Sequence, residues 1–99
     1  MDDTTTSDLV LAARRTWGRR AQSLRVRGGL SLRDVEALAR IDYSSLSKIE
    51  RGLLDTGPGA KLRLAHALDV DVDHLFAFGR SPLDELVERG DREKSGAAA

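Results

Sequence analysis

Apolar residues return at every third or fourth position over the first quarter of the chain, which is the spacing of one face of an α-helix. The residues on this face are Val10, Ala13, Trp17, Ala21 and Leu24. The pattern stops at Gly28 and Gly29, where the left-handed backbone that often closes a helix costs little. The sequence therefore predicts one long amphipathic helix with a sharp end.

Four shorter segments with the same spacing follow, and each begins at a residue that favours a helix start. Ser31, Asp42 and Asp71 can cap helix N-termini, and Pro58 suits the first turn of a helix. The apolar positions of these segments are, in order, Leu32, Val35, Leu38 and Ala39; Leu46 and Ile49; Leu62, Leu64, Ala65 and Leu68; and Val72, Leu75 and Phe76. No segment alternates apolar and polar side chains as a half-buried strand would. The pattern predicts a compact all-α domain of five helices, with a short sixth helix near the C-terminus.

These segments divide the chain into four regions. Residues 1–8 are expected to form a flexible lead-in, and residues 9–79 the folded domain. Residues 80–89 form a short amphipathic segment, and residues 90–99, which end in three alanines, are expected to be a disordered tail.

Composition excludes several functional classes. The 99 residues include no cysteine and only two histidines, which rules out disulfides, thiolate nucleophiles and Cys-ligated zinc. The chain has no Gly-rich phosphate loop and no nucleophile motif, so we expect no enzyme activity, no cofactor and no metal site. No apolar run reaches the length of a membrane span and no signal-peptide core follows Met1, so we expect a cytoplasmic protein.

The formal net charge is zero, but the charge is unevenly distributed. Twelve basic and five acidic residues lie between residues 9 and 63, which gives this segment a net charge of +7. Such a basic segment is the footprint of a protein that binds a polyanion. A helical protein whose arginines are solvated or paired would have the same composition, so charge alone leaves both interpretations open.

The segment from Ser31 to Gly52 has the form helix, three-residue turn, helix. This segment and its surroundings resemble the lambda-repressor-like helix-turn-helix family, to which Cro-type and XRE-type regulators belong. The resemblance covers about residues 17–76 and is strongest in the blocks Gly18–Arg25, Gly29–Val35, Leu46–Gly52 and Leu64–Val70.

The resemblance implies a five-helix domain that binds duplex DNA as a dimer, with the helix at Tyr43–Arg51 as the recognition helix in the major groove. It implies base contacts from Tyr43, Ser44, Ser47 and Lys48. It implies DNA-backbone contacts from Ser31, Leu32, Arg33, Arg51, Leu53, Leu54 and Thr56. The recognition helix has no Arg, Asn or Gln before Arg51, so we expect modest direct base discrimination and more reliance on the DNA backbone and DNA shape. Tyr43 either contacts a thymine methyl or a phosphate, or closes the turn as an exposed ring.

The family also pairs an arginine of its first helix with a glutamate near the end of the recognition helix, which implies an ion pair between Arg25 and Glu50. Three positions depart from the family pattern. Glu36 stands where alanine is common and must reach solvent or a partner. Arg40 stands where glycine is common, which predicts a locally different turn, because a left-handed non-glycine residue costs roughly 1 kcal/mol. Leu32 stands where glutamine is common, and its side chain cannot hydrogen-bond a phosphate.

Four apolar residues lie beyond the usual end of the family domain: Phe78, Leu83, Leu86 and Val87. They form a dimer contact or pack against the same subunit. We favour the dimer, because a helix-turn-helix module gains most from paired half-sites.

Two functional hypotheses remain. The first is a sequence-specific transcriptional regulator, a homodimeric repressor of a bacterial cell or a phage-infected host. The alternative is a protein-interaction module or antitoxin with the same fold, whose main partner is a second protein. The segment with a charge of +7 favours the regulator, whereas the weak recognition helix and the acidic ends favour the alternative.

Overall fold

A computed structural model of the chain describes residues 3–77, with side chains from residue 6 onward. Within this range the chain forms five helices and no strand, which confirms the all-α class. The helices are α1 (Asp3–Arg27), α2 (Leu32–Ala39), α3 (Tyr43–Glu50), α4 (Pro58–Ala67) and α5 (Val72–Leu75). The sixth helix expected near the C-terminus, the segment 80–89 and the tail 90–99 lie outside the described residues.

The first helix is longer than the sequence analysis predicts. It already includes residues 3–8, which we expected to be a flexible lead-in. This stretch consists of threonine, serine and aspartate up to Asp8, and such residues are favourable at the positive N-terminal end of a helix. Apolar periodicity does not reveal this part of the helix, because it contains no apolar residue to bury.

The core lies where α1, α2, α3 and α4 meet, and α5 closes one side. Its largest fully buried side chains are Val35, Leu46 and Leu75. Three positions predicted to face the core are instead exposed, with exposed fractions of 48% for Val10, 58% for Leu38 and 57% for Leu62. Helical spacing identifies a face, but only the part of that face covered by a neighbouring helix becomes buried, and these three residues lie outside the covered part.

Arg20 attaches the short helix α5 to α1. Its Nη1 donates to the carbonyl oxygens of His74, Leu75 and Ala77 at 2.9, 2.7 and 2.9 Å. These carbonyls lie at the negative C-terminal end of α5, where a cation is favourable. Nearby, the rings of Trp17 and Phe76 meet edge to face with their centroids 5.6 Å apart. A four-residue helix could not persist alone, so these contacts hold it in place.

The C-terminal end of α3 packs directly against α1. Gly52 has a φ of +77°, and the N–H of Leu53 donates to the Lys48 carbonyl at 2.8 Å in the pattern of a Schellman cap. A Cβ atom at Gly52 would lie 2.7 Å from the Cγ of Arg15. Both the backbone conformation and the space at this position therefore require glycine.

Gly18 allows a close approach between these two helices. It is buried, and a Cβ atom there would collide with the carbonyl oxygens of Ile49 and Glu50, the second at 2.5 Å. Because these neighbours are backbone atoms, they cannot rotate away as a side chain would. The absence of a side chain at Gly18 thus sets the distance between α1 and the end of α3.

We predict that Gly18→Ala destabilises the domain by about 1–3 kcal/mol, because the added methyl group must push α1 and α3 apart. Urea unfolding followed by circular dichroism measures this change. Gly59→Ala is the matched control, since its Cβ would meet only the far end of the Arg63 side chain at 3.4 Å. The control should be neutral or slightly stabilising, because alanine is the better helix former. Equal unfolding midpoints for the two variants would contradict this account of Gly18.

Candidate nucleic-acid interface

The helix-turn-helix begins at a reciprocal cap on α2. The Ser31 hydroxyl accepts from the N–H of Asp34 at 3.0 Å, and the Asp34 carboxylate accepts from the N–H of Ser31 at 2.8 Å. The hydrogen bond from the Ser31 backbone, followed by that with its hydroxyl, holds the pKa of Asp34 below its usual value. Ser31 is exposed, so it could contact a phosphate, as the resemblance implies, while it also caps α2.

The turn between α2 and α3 keeps a left-handed residue despite the absence of glycine. Arg40 has φ 56° and ψ 44°, so the side chain has not forced the turn into another conformation. Ile41 next to it is buried and anchors the turn in the core. Arg63 of α4 donates through Nε to the Ala39 carbonyl at 2.9 Å, which satisfies one of the free carbonyls at the end of α2. The turn is therefore fixed on both sides of Arg40.

Glu36, whose side chain replaces the usual alanine, finds its partner across the turn. Its Oε2 accepts from the backbone N–H of Tyr43, the first residue of α3, at 2.7 Å. Its Oε1 lies 3.4 Å from Nη1 of Arg33, whose guanidinium carbon lies 4.3 Å from the centre of the Tyr43 ring. Glu36 thus links α2 to the start of α3, and Arg33 covers one face of the Tyr43 ring.

Asp42 caps α3 and also binds two serine hydroxyls. Its Oδ2 accepts from the hydroxyl of Ser44 at 2.6 Å and from the N–H of Ser45 at 3.0 Å. Its Oδ1 accepts from the hydroxyl of Ser45 at 3.1 Å. These hydrogen bonds, the one from the Ser44 hydroxyl first, lower the pKa of Asp42. The start of α3 is therefore a tightly hydrogen-bonded cluster around one carboxylate.

The four proposed base-contact residues lie on the side of α3 that faces away from its buried residues Leu46 and Ile49. Tyr43, Ser44 and Lys48 are exposed, and Ser47 is half-buried. The positions are four residues apart in pairs, 43 with 47 and 44 with 48, so they line one face over about one turn. This face can present one ring, two hydroxyls and one ammonium group to a groove.

The residues proposed to contact the DNA backbone divide into two groups. Arg33, Arg51, Leu53 and Leu54 are exposed and accessible to a partner. Leu32, by contrast, is half-buried and packs against the core, so only its backbone remains for a polar contact.

The loop that follows α3 is held by a lysine. Asp55 lies 3.3 Å from Nζ of Lys61, and the same Nζ lies 4.8 Å from the centre of the Trp17 ring. The backbone N–H of Thr56 donates to Asp55 at 2.8 Å. The half-buried Thr56 therefore lies in a loop that is tied to both α1 and α4.

The ion pair expected between Arg25 and Glu50 is present and is bidentate. Nε and Nη2 of Arg25 lie 2.7 and 2.9 Å from the two carboxylate oxygens of Glu50, and the side chains are only 14% and 9% exposed. Nη1 of Arg25 donates to the carbonyl of Leu30 at 3.0 Å. Hydrogen bonding to Glu50 raises the pKa of Arg25. One guanidinium thus joins the end of α1, the approach to α2 and the last residue of α3.

We predict that Arg25→Met or Glu50→Met alone destabilises the domain by about 3 kcal/mol or more, because each leaves the charge of the other residue poorly solvated and without its ion-pair partner. Urea unfolding measures the change. The double variant Arg25→Met with Glu50→Met is the control, since it removes both charges and should recover much of the loss. If the double variant loses the sum of the two single effects, the pair is not coupled in this way.

Sequence reasoning did not find the two contacts that organise the start of α3. Glu36 lies seven residues before Tyr43, and the turn between them breaks the helical period on which pattern reasoning depends. The departure of Glu36 from the family pattern was the signal, but it did not identify the partner. The link between Asp42 and the Ser44 hydroxyl was equally hidden, because a capping aspartate is expected to bind backbone N–H groups.

None of the helices among residues 3–77 is both long enough and apolar enough to cross a bilayer. His66 and His74 are exposed and line one open pocket with Asp69 and Asp71. Even so, the described residues contain no group of three or more His, Cys, Asp or Glu side chains that could hold a metal ion.

Comparison with known proteins gives a family match. A family model described as a helix-turn-helix domain matches residues 17–78, well over half of the chain. This confirms the resemblance drawn from the sequence. Among curated protein sequences, none matches the chain.

Solved structures of two regulators are similar to this one. The restriction-modification controller protein C.AhdI from Aeromonas hydrophila is 33% identical, with a TM-score of 0.61 over 64% of this chain and 96% of that chain. The clp gene regulator ClgR from Corynebacterium glutamicum is 27% identical in one structure, with a TM-score of 0.59 over 64% of this chain and 82% of that chain. A second ClgR structure, at 21% identity and a TM-score of 0.62, covers 87% of this chain and 88% of that one and supports the fold alone.

Proposed function

The chain belongs to the helix-turn-helix domain family, and on that premise we propose that it is a transcriptional regulator that binds duplex DNA sequence-specifically. The observation that carries the proposal is the exposed face of α3, which presents Tyr43, Ser44 and Lys48 while Leu46 and Ile49 anchor the opposite face. A recognition helix needs this combination of an accessible outer face and a rigid inner one.

The similar structures favour a regulator over other uses of the fold. One is a restriction-modification controller protein and the other a clp gene regulator, and the chain spans 96% of the first and 82% of the second. By analogy, we propose that this chain controls genes in the cytoplasm of a bacterial cell or a phage-infected host, and that it acts as a repressor by occupying its operator.

The chemistry of the face determines how it would read DNA. Lys48 can donate to the acceptor edge of guanine, and the Tyr43 ring can contact a thymine methyl or a phosphate. Neither gives the bidentate contact by which Arg, Asn or Gln discriminate most sharply. We therefore propose modest direct readout, supported by phosphate contacts from Arg33 and Arg51 and by DNA shape.

We predict that selection from a random pool of duplex DNA at about 150 mM salt enriches an inverted repeat. Replacing both Tyr43 and Lys48 with Ala should weaken the preference with little effect on the thermal unfolding of the domain, because both side chains are exposed. Arg19→Ala is the control: it removes one exposed positive charge from α1 and should weaken all sequences equally. Absence of any DNA binding by the wild-type chain would refute the regulator, and an unchanged preference in the double variant would refute the assignment of α3.

The dimer is proposed on four apolar residues of the segment 78–87. Phe78, Leu83, Leu86 and Val87 lie outside the described residues, and their assignment to a dimer contact rests on the sequence pattern. A two-fold dimer would place two recognition helices on half-sites about 34 Å apart, one turn of the duplex.

We predict that Leu86→Glu converts the dimer to a monomer, because a charge in an apolar contact costs more than the contact provides. Sedimentation velocity over a range of concentrations measures the change in mass. Ala97→Glu adds the same charge nearer the C-terminus and should leave the mass unchanged. If Leu86→Glu also sediments as the wild type, this residue is not part of a dimer contact.

A second candidate, the protein-interaction module, is favoured by one observation on α1. A cleft of about 310 Å³ there is lined by Leu9, Val10, Ala13 and Trp17 with Thr6 and Asp55. Leu9 and Val10 are 43% and 48% exposed, which leaves an apolar surface on the first half of the helix. In this case the double variant at Tyr43 and Lys48 would retain the binding of its protein partner.

A further inference from the structure

We propose that Ser44 acts only as a hydrogen-bond acceptor toward DNA, and that it therefore selects adenine or cytosine, the bases that present an amino group in the major groove. This inference rests on the proposed function, because it concerns how the proposed recognition helix reads one base. The residue type alone does not determine the direction of this hydrogen bond, since a serine hydroxyl can donate or accept.

The geometry at the start of α3 assigns the hydroxyl proton. The Ser44 Oγ lies 2.6 Å from Oδ2 of Asp42, a distance that two oxygens reach only with a hydrogen atom between them. The pKa of Asp42 is lowered, so its carboxylate is ionised at neutral pH and has no proton to offer. The proton therefore belongs to Ser44 and points at Asp42.

The carboxylate that receives this proton is itself held in place. The N–H of Ser45 donates to the same Oδ2 at 3.0 Å, and the Ser45 hydroxyl donates to Oδ1 at 3.1 Å. If Ser44 turned its proton toward a base, its oxygen would face an ionised oxygen at 2.6 Å with nothing between them. Asp42 cannot swing away without releasing the cap of α3. The arrangement thus opposes donation by Ser44.

What remains available on Ser44 is its pair of acceptor sites. The side chain is exposed on the outer face of α3, so these lone pairs are accessible to a ligand. In the major groove, adenine N6 and cytosine N4 are donors, whereas guanine N7 and O6 and thymine O4 are acceptors. An acceptor-only Ser44 can bind the first two groups and is repelled by the others.

The test uses the wild-type chain and duplexes of the sequence selected from the random pool. Each adenine in turn is replaced by purine and each cytosine by pyrimidin-2-one, which removes the amino group alone. We expect one position in each half-site where this change weakens wild-type binding by about two- to tenfold, the range of one neutral hydrogen bond. Ser44→Ala should bind more weakly and lose its sensitivity at that position.

Two variants distinguish a change in the hydrogen-bond direction of Ser44 from a general disturbance of α3. Ser45→Ala removes the other hydroxyl bound to Asp42 and should keep the wild-type preference, because Ser45 is turned partly inward. Asp42→Asn retains a capping side chain, but its amide can donate to Ser44 and so release the serine proton. The preference of this variant should broaden to include guanine or thymine at the same position.

A measurement without DNA tests the geometry itself. Removing the Ser44 hydroxyl removes the largest contribution that lowers the pKa of Asp42, so Ser44→Ala should raise that pKa toward the ordinary value of 3.8. Carboxyl chemical shifts followed by NMR through an acid titration measure it.

The outcomes are distinct. An unchanged Asp42 pKa in Ser44→Ala, a guanine or thymine at the Ser44-dependent position, or no such position would each overturn the inference while leaving a DNA-binding regulator in place. A wild-type chain that enriches no sequence would overturn the proposed function and, with it, the reading of a base by Ser44.

Discussion

The orientation of α3, the proposed recognition helix, depends on the guanidinium of Arg25. It binds both carboxylate oxygens of Glu50 at the end of α3 and the carbonyl of Leu30 just before α2. Gly18 allows the backbones of α1 and α3 to approach closely enough for this pair to form. The net contribution of a nearly buried ion pair to stability is small, because desolvation offsets its attraction, but its geometry is specific. The pair therefore determines where α3 points more than it determines how stable the domain is.

The opposite end of α3 is fixed by carboxylates. Glu36 binds the N–H of Tyr43, and Asp42 binds the N–H of Ser45, so two of the free donors at the helix start are satisfied by negative groups. Nη1 of Arg33 lies 3.4 Å from Oε1 of Glu36, and its guanidinium covers the Tyr43 ring. Arg33 therefore places a positive charge beside this end of α3. A helix start with this composition would not attract a phosphate through its own N–H groups. Phosphate contacts must come from side chains beside it.

The helices were predictable from the sequence, because a helix with one buried face has apolar residues at every third or fourth position. The caps Ser31 and Asp42 and the pair Arg25–Glu50 were expected and are present. The same reasoning placed Val10, Leu38 and Leu62 in the core, because a period does not reveal which part of a face is covered. Contacts made by polar side chains across turns, such as that of Glu36 with Tyr43, leave no periodic trace at all. The hydrogen bond from Ser44 to Asp42 is a contact of the same kind.

The positive charge of the central segment overstates what is available to DNA. Of its twelve basic residues, Arg20, Arg25 and Arg63 donate to groups of other helices, and Lys61 lies between Asp55 and two aromatic rings. Each would have to break these contacts to reach a phosphate. Because the logarithm of the binding constant falls by about 0.9 per phosphate neutralised for each tenfold rise in salt concentration, the salt dependence should reflect the smaller set of basic residues that do not make these contacts. The zero net charge of the chain does not exclude a basic surface, because the acidic residues that balance this segment lie outside it in the sequence.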